Sequence, residues 1–126
     1  MSKGKIPVQL HQVNFFNEKV CLGLGISFII SYCRSRPEIS DNFDIRQVNW
    51  TLYEWADRHG MGEEIADYIE DSRPAIAGFS VFVWSLTLVK DVIRKVKRRN
   101  PGMVIVVGGP CATSMRVDLL RQVPRI

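Results

Sequence analysis

Three cysteines, Cys21, Cys33 and Cys111, are spread over 126 residues, and no two stand at a CxxC or CxxxCxxC spacing. Zinc sites and iron–sulfur clusters need closely placed thiolates, so neither is expected from this chain. An odd, scattered count also argues against a disulfide framework. Histidine is scarcer still. His11 and His59 each lack a second ligand at metal spacing, and no Ser/His/Asp or Cys/His set can be assembled for nucleophilic catalysis. A membrane span needs about 20 apolar residues. The most apolar stretch, Val20 to Cys33, has 14 and carries glycine and serine. The polar start, Met1 to Lys5, lacks a secretory pattern. A cytoplasmic location with no membrane partner is therefore expected. Internal repeats, linkers and low-complexity segments are missing too, which points to a single domain over residues 1–126.

The composition is that of an ordinary globular protein, 46% hydrophobic and 24% charged. The net charge of +4 is concentrated between Lys90 and Arg99. Such a run could suggest nucleic acid. No aromatics interleave with it, however, and its cations gather near a helix C-terminus, where the dipole favours them. A solvated helix face is the better reading, and no nucleic-acid partner is expected.

Two segments stand out: Ala75-Ile-Ala-Gly-Phe-Ser-Val-Phe-Val-Trp84 and Met103-Val-Ile-Val-Val-Gly-Gly-Pro110. Both are apolar runs ending in small or turn-forming residues, as strands buried on both faces of a parallel sheet do. Between them, Val89, Val92, Ile93 and Val96 recur at helical spacing, and Asn100-Pro101-Gly102 supplies the stop. Ile6 to Val13 reads as a first strand with Asn14 to Lys19 as its loop. A helix follows, with Leu22, Ile26, Ile29, Ile30 and Cys33 on one face. Its other face, Gly25, Phe28, Ser31 and Tyr32, is not very polar, so cover is expected there as well. Pro37 ends this helix. Phe43 to Val48 alternates apolar and charged residues like a half-exposed edge strand. Thr51 to Asp71 holds helical material interrupted at Gly60-Met61-Gly62, with Glu63, Glu64 and Asp67 as a helix start. Ser114 to Val123 is a last helix. The alternation βαβαβαβα predicts an α/β doubly wound parallel sheet of flavodoxin-like order 2-1-3-4. In that order Met103 to Val107, apolar throughout, becomes an exposed edge. Proteins normally avoid this, so the domain reads as truncated before a fifth strand and incomplete at its C-terminus.

Ligands of such sheets bind outside the carboxyl ends of the strands, here Ser80 to Trp84 and Gly108 to Pro110. Gly108-Gly109-Pro110 serves either a close backbone approach to a ligand or a tight turn. Ser80 either bonds a ligand or caps the next helix. Phe82 and Trp84 either stack on a large planar ligand or close the core. Cys111 follows the turn and reads as a small buried thiol. Two other doubly wound classes are poorly matched. A phosphorelay receiver needs clustered acids after the first strand, whereas Val13-Asn14-Phe15-Phe16-Asn17-Glu18 holds one. A nicotinamide-binding unit needs GxGxxG there, but Gly23-Leu24-Gly25 lies inside a helix pattern without the third glycine.

Taken together, Leu22-Gly23-Leu24-Gly25, Gly78-Phe79-Ser80-Val81-Phe82-Val83-Trp84, Asn100-Pro101 and Val107-Gly108-Gly109-Pro110 resemble the cobalamin-binding N-terminal domain of cobalamin-dependent radical S-adenosylmethionine enzymes. The likeness runs from about Ile6 to Ile126. The wider cobalamin-binding fold carries SxL followed by GG. Ser80-Val81-Phe82 and Gly108-Gly109 match that arrangement with 25 residues between, Phe replacing Leu. The DxHxxG motif, whose histidine ligates cobalt in methyltransferase and mutase relatives, is missing, as it commonly is in the radical enzymes. The barrel with its CxxxCxxC is missing too, so this chain is not expected to catalyse radical chemistry alone.

The resemblance implies a cobalamin-binding, vitamin- and metal-ion-binding domain with the corrin across the carboxyl edge of the sheet. Gly108 and Gly109, with Pro110 completing the turn, would admit it closely. Ser80 would bond near the nucleotide tail or the corrin amides, Phe82 and Trp84 would give apolar cover, and Asn14 in the first loop would approach the lower face. No catalytic and no metal-ligating residue is assigned. A catalytic domain or subunit would pair at the exposed strand edge. The rival expectations are a cofactor-free α/β interaction domain that docks a partner through that edge, or a gene fragment without function.

Overall fold

The structure, a computed structural model, describes residues 4–14, 24–51 and 58–124, without the side chains of Leu24, Arg58 and His59. Its strands are β1 (Ile6–Asn14), β2 (Phe43–Thr51), β3 (Ile76–Ser80) and β4 (Val104–Gly108). Its helices are α1 (Leu24–Arg34), α2 (Pro37–Ser40), α3 (Arg58–Ser72), α4 (Leu86–Arg99), α5 (Pro110–Met115) and α6 (Val117–Gln122). All three strand pairings are parallel, in the order β2-β1-β3-β4. This is the doubly wound sheet and the strand order that the sequence predicts.

Alternation along each strand divides the sheet into two faces. One face carries Ala77 and Phe79 of β3 and Ile105 of β4. They pack with Ile65 and Ile69 of α3 and Val92, Ile93 and Val96 of α4 in the main core. The amphipathic pattern of α4 places Leu88, Val89, Val92, Ile93 and Val96 inside, as its spacing requires. The outer seam between α3 and α4 is tied by Arg99, which reaches Asp67, Glu70 and Glu63 at 2.7–3.0 Å, and by Lys95, which reaches Glu63 at 3.5 Å while pairing with Asp91 of its own helix at 2.7 Å. Hydrogen bonding to Asp91 raises the Lys95 pKa. Much of the expected basic face of α4 is thus occupied: Lys97 donates to the Met103 carbonyl, and Lys90 meets Gln122.

This face also holds a polar insertion. His11 is fully buried between the rings of Trp50 and Phe79, with Tyr68 edge-on. Trp50 Nε1 donates to its Nδ1 at 3.0 Å, which leaves Nε2–H to donate to Gln9 Oε1 at 3.0 Å. Gln9 Nε2 donates to Ser72 Oγ, and Ser72 donates to the Tyr68 carbonyl. Burial lowers the His11 pKa from 6.5 to about 4, so the ring is neutral at pH 7. The neutral tautomer can satisfy both neighbours because it has one donor and one acceptor.

The opposite face is covered by α1, whose Ile26 and Ile30 are buried. Several local expectations are corrected here. Ile29 is 54% exposed, and Phe28 and Tyr32 are exposed as well, because no described element lies over them. α1 ends at Arg34, ahead of Pro37, but the proline also opens the short α2 at its first turn, where a missing N–H costs nothing. α3 runs unbroken through Gly60-Met61-Gly62 and puts Glu63 and Asp67 in its interior, where they meet Arg99. A Cβ on Gly62 would meet Asp91 Oδ2 at 2.5 Å, so this glycine serves the close approach of α3 and α4. The last helix begins at Pro110 rather than Ser114 and breaks at Arg116 (φ 49°) into α5 and α6. Beyond that break, Leu119 and Val123 are buried, Val123 in the main core. Leu22, the first loop from Phe15 onward and Leu52 to Asp57 lie outside the described residues.

Candidate functional site

Parallel pairing brings four residues to one level at the carboxyl edge: Asn49 of β2, Gln12 of β1, Ser80 of β3 and Gly108 of β4. One pleat lower stand Gln47, Leu10, Gly78 and Val106. Lower still are Ile45, Val8, Ile76 and Val104. The α1 face therefore grades from apolar at the amino end of the strands to neutral polar at the carboxyl edge. Ser27 of α1 donates to Gln47 Oε1 at 3.1 Å, which ties the helix to the middle row.

On this face lies a groove of about 210 Å³. Ile26 and Ile29 of α1 form one wall and Val106 of β4 the other. Leu10 and Gly78 floor it, and it opens at Ser80, Gly108 and Gly109. The groove exists because α1 stands over β1 and β2 and no described element covers this face of β4: Val104 and Val106 are 52% and 50% exposed. Gly78 deepens it. A Cβ there would lie 2.6 Å from Leu10 Cδ2, so any larger residue would push that side chain into the space.

The two glycines at the mouth differ in kind. Gly109 has φ 93° and ψ 179°, a region essentially reserved for glycine. Its missing Cβ would lie 2.9 Å from the Val81 nitrogen and 3.1 Å from Ser80 Oγ. It lets β4 turn into α5 while Val81 N–H donates to the Gly108 carbonyl at 2.8 Å and Cys111 N–H donates to the Val81 carbonyl at 3.1 Å. Gly108 has an ordinary backbone, and a Cβ there would meet nothing within 4 Å. Its bareness keeps open space at the groove mouth.

Of the residues singled out from the sequence, Ser80, Gly108 and Gly109 meet in the groove. Ser80 ends β3 and does not cap the next helix; Ser85 precedes α4 instead, and its Oγ accepts from Phe82 N–H at 3.0 Å. Phe82 and Trp84 do not line the groove. They stack at 4.6 Å with planes 3° apart beside it, and Trp84 Nε1 donates to the Val13 carbonyl at 3.1 Å. That bond pins the aromatic slab over the carboxyl end of β1. Pro110 opens α5 and is exposed. Asn14 is the last residue of β1 rather than a loop residue, and it is buried, with Oδ1 accepting from Gln12 Nε2 at 2.8 Å. Cys111 is half-buried against the core. His11 points to the opposite face and cannot reach the groove. Sequence reasoning missed the walls, Ile26, Ile29 and Val106, and Leu10 of the floor, because each reads as ordinary core. It also passed over the neutral polar residues Gln12, Gln47 and Asn49. Among the described residues, no group of three His, Cys, Asp or Glu side chains could hold a metal ion, and no helix is long and apolar enough to cross a membrane.

A parallel doubly wound sheet with a glycine-mouthed groove at its carboxyl edge defines a binding domain of the cofactor-holding kind. The chain belongs to the B12 binding domain family, whose description matches residues 23–126. It is similar to 2-(S-pantetheinyl)-carbapenam-3-carboxylate methyltransferase of Streptantibioticus cattleyicolor, at 27% identity over 105 residues. That alignment takes in 83% of this chain and 14% of the methyltransferase, so the chain spans a small part of that relative. Cobalamin is the ligand the family implies. The edge suits it in three respects: an apolar groove, a glycine mouth without side chains, and neutral polar neighbours that match an amide-fringed group.

Proposed function

We propose that this chain is the cobalamin-holding domain of a methyl-transferring enzyme of the cobalamin-dependent radical S-adenosylmethionine type. The observation that carries the reading is the groove ending at Gly108, in a chain that belongs to the B12 binding domain family. The named activity of the similar methyltransferase supports the transfer of a methyl group, and the residues that resemble the radical enzymes support the type.

In this reading Gly108 and Gly109 admit the corrin and its tail to the backbone, and Ser80 offers a hydroxyl at the groove mouth. The Phe82–Trp84 slab excludes water beside the ring, Asn14 stands at the end of β1 facing it, and Pro110 holds the turn. Bound cobalamin supplies a cobalt centre able to carry a methyl group. No histidine of a DxHxxG motif is present in this sequence to ligate it. A catalytic domain or subunit pairs at the open β4 edge, so the reaction belongs to the assembly and not to this domain alone.

Gly108→Val tests the reading, because the substitution meets open space and spares the fold. Equilibrium dialysis with hydroxocobalamin should show retention by the wild-type chain and at least about tenfold weaker retention by the variant, equivalent to about 1.4 kcal/mol. Unaltered thermal unfolding should accompany it. Gly109→Ala is the contrasting control. It forces a side chain into a positive-φ site against Val81 and should cost about 1–3 kcal/mol of stability. Loss of binding there would say nothing about the ligand. Equal retention by the wild-type chain and Gly108→Val sinks the placement of the corrin; no retention by the wild-type chain sinks the cobalamin reading.

A further inference from the structure

The level Asn49–Gln12–Ser80–Gly108 contains no charged residue, and neither does Asn14 beyond it. Residues in register across a sheet point to the same side. Because Ser80 and Gly108 line the groove, Gln12 and Asn49 share its face. Within this strip Gln12 Nε2 donates to Asn14 Oδ1 at 2.8 Å, and Gln47 Nε2 donates to Asn49 Oδ1 at 3.2 Å. Gln12 and Asn14 are 9% and 7% exposed. A carboxamide carries two donor hydrogens and an acceptor oxygen. The one bond between Gln12 and Asn14 therefore leaves an acceptor on Gln12 and donors on Asn14, and among the described residues these have no partner. Leaving such groups buried and unpaired is costly, so a ligand that completes them is favoured.

The chemistry that completes them is another carboxamide, which can donate to the Gln12 oxygen and accept from Asn14. A carboxylate cannot. It brings acceptors only, so its oxygens would face the Gln12 oxygen, and no cation in the strip offsets its charge. We infer that the Gln12–Asn14–Asn49 strip is an amide-recognition site that selects corrinoids with intact side-chain carboxamides over those carrying free carboxylates. The inference rests on the cobalamin reading above and adds to it the ligand chemistry of the strip.

The test compares hydroxocobalamin with the monocarboxylates that mild acid hydrolysis of its side-chain amides yields, by equilibrium dialysis at pH 7.5. The wild-type chain should bind the monocarboxylate fraction at least about tenfold more weakly, the order expected from one buried polar group left unpaired. Asn49→Lys places a cation at the exposed end of the strip, where folding should be unaffected, and should bring the ratio of the two affinities close to one. Gln12→Leu should narrow the same ratio by weakening hydroxocobalamin. If it fails to fold, as circular dichroism would show, Asn49→Lys carries the test. Equal affinity of the wild-type chain for both ligands, or a ratio that Asn49→Lys leaves unchanged, overturns the amide inference and leaves the cobalamin reading standing. Binding of neither ligand overturns both.

Discussion

The two faces of the sheet are made from the same strands and end in opposite states. Under α3 and α4, Ile65, Ile69, Val92 and Ile93 are each 1% exposed. On the α1 side of the sheet, apolar side chains of equal size, Ile29 of α1 and Val104 and Val106 of β4, are half exposed. The difference does not come from the strands, since β4 is apolar at every second residue on both sides. It comes from helix placement. α3 and α4 together cover one face as far as Ile105, whereas α1 covers β1 and β2 and leaves β4 bare. The closed face is packed for stability, and the open one keeps a groove between α1 and β4. The edge strands repeat the lesson. β2 carries Asp44 and Arg46, paired at 3.1 Å, which protect an edge from unwanted pairing. β4 carries no charge at all.

Equivalent truncations on the two faces should separate them most widely. Ile93→Ala leaves a cavity in the closed core and should cost about 3 kcal/mol. Val106→Ala removes atoms that already face the groove and should cost about 0.5 kcal/mol. Urea unfolding of both variants measures the difference, and equal costs would mean that the open face is packed against something.

The closed face should also carry a pH signature that the open face lacks. The His11 pKa is lowered by burial from 6.5 to about 4, so the unfolded state binds the proton more readily than the folded one. Stability from the neutral ring is fully present above pH 6.5 and is lost as pH falls through that value toward 4. The whole contribution is about 3 kcal/mol. Urea midpoints should therefore decline between pH 7 and pH 5 in the wild-type chain. In His11→Phe, which keeps an aromatic ring between Trp50 and Phe79, the decline should largely vanish. Persistence of the same slope in the variant would place the titration elsewhere.

What could be read from residues alone follows from these physical differences. The strand order, the buried side of α4 and the edge position of β4 are all consequences of periodicity and of Gly/Pro punctuation, which act locally. The two glycines at the groove mouth were legible as a motif, but not their separate roles. Gly108 and Gly109 look alike until the backbone shows that one has φ 93° against Val81 and the other faces open space. The break at Arg116 and the unbroken run of α3 through Gly60 and Gly62 are tertiary effects that override local propensity. The polar strip was invisible because Gln12, Gln47 and Asn49 become neighbours only through parallel register. His11 shows the same limit: its place inside the first strand was legible, whereas its aromatic cage, assembled from β2, β3 and α3, was not.

The smallest effect on folding, and the sharpest probe of the open side, is expected from a charge on β4. An apolar, uncharged edge is a template for pairing with another chain. The wild-type domain should therefore self-associate in a concentration-dependent way, visible by sedimentation. Ile105→Lys would be a poor probe, because Ile105 is buried beneath α4 and the change would damage the core. Val106 points the other way, toward the groove, and is half exposed. Val106→Lys can extend its ammonium into water and should alter stability by no more than about 0.5 kcal/mol. It should nevertheless weaken association, since two copies paired along β4 would bring their lysines together. An unassociated wild-type domain at high concentration would show that the bare edge is protected by means other than charge. Association undiminished in Val106→Lys would locate the contact away from β4. If the variant is instead strongly destabilised, Val106 is covered, and the contrast between the two faces fails at the residue where it is clearest.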